Sequence, residues 1–223
     1  MNEMSPRLGA IAALVPPGSR LTDVGTDHAL LPAHLRLAGI CPRAIATDLR
    51  EQPLLRGREN ARRLGAEGIE FRLCDGLECV SGEETDCVVI AGMGGDTIAG
   101  IVERCPWART GEKLLILQPM SSADSLRRAL GGLGIGITGE TLVREEGAIY
   151  TVITALGRRK EPFESWEAYA SRPLLGQKGG LCDEYMEKTV RSLRRALEGA
   201  EKSKKPGDVT RAAEFRRVLE KLG

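Results

Sequence analysis

The sequence is poor in the features that build metal centres, disulfide frameworks and membrane spans. It has two histidines among 223 residues, and its six cysteines include no C-x-x-C pair. We therefore expect no metal, and free thiols in a cytoplasmic protein. No run of about 18 apolar residues suggests a membrane helix, and the N-terminus lacks the apolar segment of a signal peptide. Membrane partners are therefore not expected.

A strong net charge is also missing, since the formal net charge is +1. This value conceals an asymmetry between the two ends of the chain. Residues 158–223 hold 16 Lys and Arg against 11 Asp and Glu, whereas residues 1–157 hold 16 against 20. A basic tail on an acidic body suggests a polyanionic partner. The length allows one domain with an appendage, and the hydrophobic fraction of 42% can build a core.

The dinucleotide fingerprint G-x-G-x-x-G is absent from the turn after the first predicted strand. Residues 21–32 read Leu-Thr-Asp-Val-Gly-Thr-Asp-His-Ala-Leu-Leu-Pro, a short strand, a turn and a helix start. Such a turn is where backbone N–H groups meet a polar ligand. It carries Asp27 and His28 where a pyrophosphate site needs small neutral residues. A carboxylate repels phosphate and attracts a cation, so the turn favours S-adenosylmethionine and methyl transfer over hydride transfer.

Strands and helices alternate along most of the chain, which is typical of an α/β fold with a parallel sheet. A short helix over 7–15 comes first. The predicted strands are 20–25, 43–47, 68–73, 85–90 and 113–117, and the predicted helices are 29–38, 51–64, 96–104 and 123–133. Segments 134–143 and 148–156 are strand-like and separated by four residues, which predicts an antiparallel edge hairpin. This is the arrangement of a Rossmann-like class I methyltransferase sheet.

The composition changes after residue 157. Segments 181–200 and 208–222 have apolar residues at helical spacing, and a Pro-Gly turn separates them. They predict a C-terminal α-helical hairpin, packed like a short coiled coil. We therefore divide the chain into a cofactor-binding catalytic domain, residues 1–157, and a helical hairpin, residues 158–223.

Acidic residues and glycines at strand ends are the candidate cofactor contacts. Asp23 and Gly25 end the first strand, and either bind the cofactor or form an ordinary turn. Asp48 ends the second strand, where a carboxylate accepts both ribose hydroxyls, or else it caps the next helix. Asp75 and Gly76 follow the third strand, beside the expected adenine ring, although Asp-Gly is also a turn dipeptide.

A glycine motif, Ala-Gly-Met-Gly-Gly, ends the fourth strand at residues 91–95. So many glycines are costly in conformational entropy, which indicates close approach of a ligand. We predict cofactor contacts for Gly92, Met93 and Gly94 and a substrate contact for Gly95. Gln118 ends the fifth strand and is either a polar contact to the substrate or part of a structural turn. The motif contains no aromatic residue to stack a base.

The roles of Asp27 and His28 are the most open. His28 either hydrogen-bonds substrate or cofactor or has a structural role, and we assign His34, inside the predicted helix, a structural role.

Three motifs occur in this order: residues 23–32, the glycine motif 91–95, and Leu-Gln-Pro at 117–119. Together with the C-terminal helical pair, they resemble the bacterial tRNA adenine-N1 methyltransferases that act at position 22 of tRNA, the TrmK family. The resemblance covers essentially the whole chain. One departure is Met120, where many members are expected to have Asn.

The resemblance implies a Rossmann-like catalytic domain, S-adenosylmethionine as methyl donor, S-adenosylhomocysteine as product, and a tRNA partner docked on the hairpin. We expect a monomer. Phosphate contacts position RNA without reading its sequence, although mixed charges also suit a solvated coiled-coil surface. The candidate phosphate-binding residues are Arg191, Arg194, Arg195, Lys204 and Lys205, with Lys188, Lys202, Arg211, Arg216 and Arg217 as further candidates.

Adenine N1 carries an in-plane lone pair, so its methylation requires alignment rather than a strong base. The base must be exposed or flipped, and a nearby carboxylate stabilises the charge that develops on it. We therefore predict Asp27 as the catalytic group, assisted by His28. Three alternatives remain open at this point: a methyltransferase for another RNA nucleotide or a small molecule, a nicotinamide-dependent oxidoreductase, and a non-catalytic RNA-binding protein.

Overall fold

The computed structural model describes residues 4–203 and 205–223. A seven-stranded sheet has the order β3-β2-β1-β4-β5-β7-β6. Strands β1 to β5 are parallel, and β7 pairs antiparallel with both β5 and β6. This confirms the expected Rossmann-like sheet with an antiparallel edge hairpin. The strands are β1 Leu21–Val24, β2 Ala44–Asp48, β3 Ile69–Leu73, β4 Cys87–Gly94, β5 Leu114–Ser121, β6 Ile135–Glu145 and β7 Ala148–Arg158.

Helices cover both faces of the sheet and form the C-terminal pair. The α-helices are α1 Pro6–Leu14, α2 Leu30–Leu37, α3 Glu51–Leu64, α4 Gly95–Arg104, α5 Ala123–Gly132, α6 Arg172–Leu175, α7 Leu181–Lys202 and α8 Pro206–Leu222. Single 3₁₀ turns span Gly82–Glu84, Ala108–Thr110 and Ser165–Ala168. The predicted bounds differ from these mainly at the ends of elements, and the short elements at 165–168 and 172–175 were not predicted.

The core lies on both sides of the central strands. Successive side chains of a strand point to opposite faces, so Ile90 joins one buried cluster and its neighbour Val89 joins the other. The same division separates Leu117 from Ile116 on β5. Because both faces are covered, the central strands read as continuous apolar runs.

The glycine motif forms part of strand β4, whereas the sequence predicted that the fourth strand ends at residue 90 and that a loop connects it to the helix. Strand β4 continues through Gly94, with Ala91 paired to Gln118 and Met93 paired to Pro119 across a register shift. The prediction was wrong here because β5 also runs further, to Ser121, and supplies the missing pairing partners. Helix α4 consequently begins at Gly95 and not at 96.

One pair of cysteines contradicts the expectation of free thiols. Cys74 and Cys79 form a disulfide, with their Cα atoms 5.9 Å apart. The chain turns back between them at Gly76, whose φ of +61° suits glycine, and this turn brings the two cysteines together. The other four cysteines are free and buried: Cys41, Cys87, Cys105 and Cys182.

The helical hairpin, α7 and α8, contacts a buried ion pair between α5 and β6. Arg127 of α5 and Glu140 of β6 have side chains 1% and 0% exposed. Arg127 also donates to the carbonyl of Ala168 at 2.8 Å and to the hydroxyl of Tyr185 at 2.9 Å. A buried charge needs such partners, so Tyr185 of the hairpin completes the environment of Arg127, which is itself paired with strand β6.

Among the described residues, no helix is both long and apolar enough to cross a membrane. Within the same part of the chain, no group of three or more His, Cys, Asp or Glu side chains is placed to hold a metal ion.

Candidate active site

A cavity of about 350 Å³ lies at the edge of the sheet where the parallel strands end. Its walls come from the ends of β1, β4 and β5 and from helices α1 and α2. Ligands bind at this edge of open α/β sheets, where the strand order reverses. The cavity brings together six of the residues predicted from the sequence: Asp23, Gly25, Asp27, His28, Gly92 and Gln118.

Five predicted cofactor residues lie beyond the lining of this cavity, as far as the described chain goes: Asp48, Asp75 and Gly76, and Met93 and Gly94 of the glycine motif. Asp48 ends β2, next to β1, and its carboxylate accepts a hydrogen bond from the Arg50 N–H at 2.8 Å. The Asp75 carboxylate accepts a hydrogen bond from Arg104 of α4 at 3.1 Å and borders a different cavity. The carbonyl of Gly76 accepts a hydrogen bond from a buried threonine hydroxyl at 3.0 Å.

Different structural reasons explain why glycine occupies the positions of the motif. Gly92 has a φ of +78° and nothing within 4 Å of where a Cβ would be, so its open side leaves room for a ligand. At Gly95 a Cβ would overlap the carbonyl of Ser122, so close packing of α4 against the chain entering α5 requires glycine there. Gly94 pairs with Ser121, and the end of the Met93 side chain lies against Gly25. Gly92 alone among these four lines the cavity in the part of the chain described.

Asp23 is the buried acid of the site. The pKa of its carboxyl is raised to about 6, with burial as the main cause, while the Thr26 side chain lowers the pKa and the nearby charge of Asp48 raises it. A carboxylate shifted upward by burial has no cation compensating its charge. A cationic ligand group placed beside Asp23 would supply that compensation.

Asp27 lies in a different environment only four residues later. Its side chain is 66% exposed, and one carboxylate oxygen is 3.4 Å from Arg56 and 3.6 Å from the imidazole of His28. His28 and Ala29 have φ values of +58° and +50°, a backbone region costly for residues other than glycine. Asn60 of α3 holds the turn by donating to the His28 carbonyl at 2.7 Å. The turn therefore presents both side chains at the cavity rim.

Arg7 is a site residue that the sequence reasoning missed. Its guanidinium donates to the Gln118 side-chain oxygen at 3.0 Å, and that oxygen also accepts from the Gly92 N–H at 3.2 Å. The Gln118 amide nitrogen donates to the carbonyl of Pro119 at 2.8 Å. Arg7 is itself held by Glu145 through a bond of 2.8 Å. This chain of contacts fixes the amide of Gln118 and, through it, the backbone at Gly92.

A signal for Arg7 was present in the sequence. Arg7 lies in the first turn of α1, where the helix dipole disfavours a cation. An arginine in that position indicates a tertiary partner, and Arg7 has one in Glu145 and another in the ring of Tyr150, whose centroid is 4.8 Å from its guanidinium carbon. The sequence alone does not show which partners these are, because both are more than 130 residues away.

The predicted phosphate-binding residues lie on the hairpin, away from the cavity. Arg191, Arg194 and Arg195 are exposed on α7, and Lys205 is exposed just before α8. None of these four makes an ion pair with another residue that the structure describes. Lys204 lies outside the described residues. The other basic residues include several paired ones, such as Lys188 with Glu184 and Arg216 with Glu201.

A family model described as "Methyltransferase domain" matches residues 4–153. The chain is 36% identical over 158 residues to the tRNA (adenine(22)-N(1))-methyltransferase of Bacillus subtilis. That alignment covers 70% of this chain and 66% of the Bacillus enzyme, just under two thirds of its length. The chain is also 30% identical to a putative tRNA methyltransferase of Mycoplasma pneumoniae, over 67% of this chain and 70% of that protein.

Two solved structures extend the similarity over the hairpin. The crystal structure of the Bacillus subtilis M1A22 tRNA methyltransferase superposes with a TM-score of 0.87 at 27% identity, covering 100% of this chain and 98% of that one. A putative tRNA (m1A22) methyltransferase of Streptococcus pneumoniae, solved in complex with S-adenosyl-L-methionine, gives a TM-score of 0.82 at 29% identity. That match covers 97% of this chain and 100% of the other.

Proposed function

The chain belongs to the methyltransferase-domain family, within it to the tRNA methyltransferases, and we propose that it methylates N1 of adenine 22 in tRNA with S-adenosylmethionine. The resemblance noted from the motifs is confirmed by these relatives. The observation that carries the proposal is the structural match over the full chain, hairpin included. An enzyme for a small substrate has no need of that basic appendage.

The residues of the cavity fit the proposed cofactor. S-adenosylmethionine has a cationic sulfonium and an ammonium group, and buried Asp23 lacks a compensating cation. Asp48, at the end of the neighbouring strand, is a carboxylate able to accept two ribose hydroxyls. Gly25 and Gly92 both line the cavity, and nothing lies within 4 Å of where a Cβ of Gly92 would be, so Gly92 leaves room for the cofactor. When bound, the cofactor supplies an electrophilic methyl group.

We assign the exposed half of the turn to the substrate. The Asp27 carboxylate is accessible at the rim, so it can accept a hydrogen bond from the adenine amino group. It also stabilises the positive charge that the ring acquires as N1 becomes methylated. His28, 3.6 Å away, assists by holding that carboxylate in place.

Gln118 acts on the backbone and not on the base in this proposal. Its side-chain oxygen already accepts from Arg7 and from Gly92, which favours the structural alternative considered from the sequence. Arg7 and Gln118 are therefore positioning residues that keep Gly92 in its left-handed conformation at the cavity. Gly92 lines the cavity, whereas the cofactor contacts of Met93 and Gly94 and the substrate contact of Gly95 stay predictions, because these three do not line the cavity in the described part of the chain.

The hairpin docks the tRNA in this proposal, through Arg191, Arg194, Arg195, Lys204 and Lys205. A chain ending at Gly157 would be a poor test, because it stops inside β7 and uncovers the buried Arg127. Substitutions on the hairpin surface avoid that damage. A tRNA substrate implies a cytoplasmic location, and we propose a monomer, which light scattering of the purified protein tests.

The experiment that tests the function is methyl transfer to unmodified tRNA with the methylated nucleotide mapped. The proposal predicts one N1-methyladenosine at position 22 and stabilisation of the protein by S-adenosylhomocysteine but not by NAD. Methylation at another nucleotide would keep the enzyme class and overturn the site assignment. Tight tRNA binding without any methyl transfer would support the non-catalytic alternative.

A further inference from the structure

A second cavity, of about 400 Å³, lies between the start of α5 and the helical hairpin. Its volume falls within the ~300–1,000 Å³ of small-molecule sites. We call it the hairpin cleft. Its defining residues are Asp124 on α5, Tyr169 before α6, Tyr185 and Ser192 on α7, and Arg211 and Phe215 on α8. It shares no lining residue with the cavity that holds Asp23, within the described chain. The roles assigned above leave the hairpin cleft without a function.

The cleft has a built floor. Tyr185 receives a hydrogen bond from the buried Arg127 at 2.9 Å, and the Tyr169 hydroxyl lies 3.3 Å from Arg128. Phe215 is buried in the hairpin core, with the Arg211 guanidinium carbon 5.9 Å from its ring centroid. These contacts fix the aromatic side chains before any ligand arrives. A preformed site spends little free energy on ordering when it binds.

The lining groups suit a flat heterocycle with polar edges. Three aromatic side chains offer faces or edges for stacking, Thr189 and Ser192 offer hydroxyls, and the Asp124 carboxylate accepts hydrogen bonds from an amino group. Nucleobases combine a stacking face with such donors. The two arginines of the lining already have acidic partners, Arg127 in Glu140 and Arg211 in Asp208, and Asp124 repels a phosphate, so the base and not the backbone fits the interior.

Cations of α7 lie next to the residues that line one side of the cleft. Thr189, Ser192 and Ala196 face it from α7 at spacings of three and four residues, which places them on one helix face. A basic stripe runs beside that face, because each of these residues is preceded by a cation, namely Lys188, Arg191 and Arg195. Consecutive residues of an α-helix are about 100° apart around its axis, so the basic stripe lies beside the face that lines the cleft. A polyanionic strand following the stripe would therefore pass along the rim of the cleft.

The cleft also lies within reach of the catalytic cavity. Asp124 follows Gln118 by six residues, so their Cα atoms are at most ~20 Å apart. Gly95 packs against the carbonyl of Ser122, and the Asp96 carboxylate accepts a hydrogen bond from the Ser125 hydroxyl. The segment that carries Asp124 is thus tied to the end of the glycine motif.

From this geometry we infer that the hairpin cleft is a second base-binding subsite, which takes an unstacked nucleoside of the tRNA a few nucleotides from the target adenine. The inference rests on the proposed function and deepens it, since it names where a second base is held. The base stacks against the aromatic side chains, with its amino group on Asp124. The basic stripe contacts the phosphates on either side. Two separated anchors would hold the target base extruded while methyl transfer takes place.

The test fills the cleft without disturbing its floor. Ala196→Trp puts an indole into the cleft from an exposed position of α7, and Ala213→Trp is the matched control, because Ala213 is exposed on α8 and does not line the cleft. We expect A196W to raise KM for full-length tRNA about tenfold, the effect of losing one stacked base. The control should stay within twofold of the unmodified protein. S-adenosylhomocysteine should stabilise both variants equally.

A salt titration separates base binding from phosphate binding. Loss of a phosphate contact reduces the slope of log affinity against log salt by ~0.7–0.9, so Arg195→Ala should show a shallower slope. A196W should weaken binding at every salt concentration with the slope unchanged. If A196W fails to fold, Ser192→Phe fills the cleft from the next turn with a smaller ring, and the same outcomes apply.

Equal tRNA affinity and KM in A196W and A213W would overturn the subsite while leaving the proposed function intact. A slope change in A196W equal to that of R195A would also overturn it, by showing phosphate contacts only. If the unmodified protein transfers no methyl group to tRNA, the proposed function fails instead. The cleft is then still decided by tRNA binding measured by fluorescence anisotropy.

Discussion

Two carboxylates of one turn, four residues apart, lie in opposite environments. Asp23 is buried at the end of β1, and its pKa is raised to about 6 by burial. Asp27 is exposed at the rim and paired with Arg56 and His28. Desolvation makes the first a strong site for a cation, because no cationic side chain among the described residues forms an ion pair with it. The carboxylate of Asp27 is exposed to solvent beside Arg56, so a ligand that arrives from outside can reach it. The difference assigns one carboxylate to the cofactor and the other to the base.

Replacement of the exposed carboxylate should have the largest effect. We expect Asp27→Ala to lower kcat by ~10²–10³-fold, the range for removal of one group that stabilises transition-state charge. Cofactor affinity should stay within twofold, because Asp27 acts on the base. Single-turnover methylation of tRNA and titration with S-adenosylhomocysteine measure the two quantities. Equal methylation rates in D27A and the unmodified protein would remove Asp27 from the mechanism.

Replacement of the buried carboxylate should reverse this pattern. Asp23→Asn keeps the shape of the side chain and removes its charge, so we expect cofactor affinity to fall ~10–100-fold, as for loss of a charged hydrogen bond. Calorimetry with S-adenosylmethionine measures the change. The rate at saturating cofactor should change much less. The matched control is Glu78→Gln, at an exposed acid of the cavity that Asp75 borders. It should leave the affinity for S-adenosylmethionine unaltered.

The same carboxylate predicts a pH dependence of cofactor binding. A cation prefers the ionised form of Asp23, so binding weakens as pH falls through about 6 and the carboxyl takes up a proton. For a single group with this pKa, affinity should fall about tenfold between pH 7 and pH 5. In D23N that dependence should disappear. An unchanged pH profile in D23N would assign the titration to another group.

The smallest effect is expected at the positioning residues. Arg7→Lys keeps the positive charge but loses the fork that joins Glu145 to Gln118. We expect kcat to fall several-fold, by less than the ~10²–10⁴-fold that a group in the chemical step contributes, with KM for tRNA nearly unchanged. Tyr150→Leu removes the ring beside Arg7 and keeps its hydrogen bonds, so it separates packing of α1 from positioning. A loss in Y150L equal to that in R7K would give Arg7 a structural role only.

The alternation of strands and helices was predictable because its signals are local. Apolar runs bounded by turn residues mark β1 to β5, and α3 begins at Glu51 and ends at Leu64 as predicted. The glycine motif was wrongly placed in a loop because pairing of β4 with β5 beyond residue 90 depends on a distant segment. The Cys74–Cys79 pair is local but was missed, since a turn and not a spacing motif brings the two cysteines together.

The candidate site shows the same limit. Asp23, Gly25 and Gly92 lie at or close to the carboxyl ends of strands, and these ends converge in a parallel sheet, so their meeting was predictable. Arg7 enters the cavity from helix α1, and only the packing of α1 on the distant segments β6 and β7 shows this. The opposite burial of Asp23 and Asp27 could not be predicted from the five residues 23–27, because it depends on which neighbours cover each side chain.

The central claim is that the two carboxylates serve different partners, and one paired measurement tests it most directly. S-adenosylhomocysteine affinity and the single-turnover rate at saturating cofactor are measured for D23N and D27A with the same tRNA. The account predicts a loss of affinity with a largely retained rate in D23N, and a lost rate with retained affinity in D27A. Equal losses of affinity and rate in both variants would contradict it.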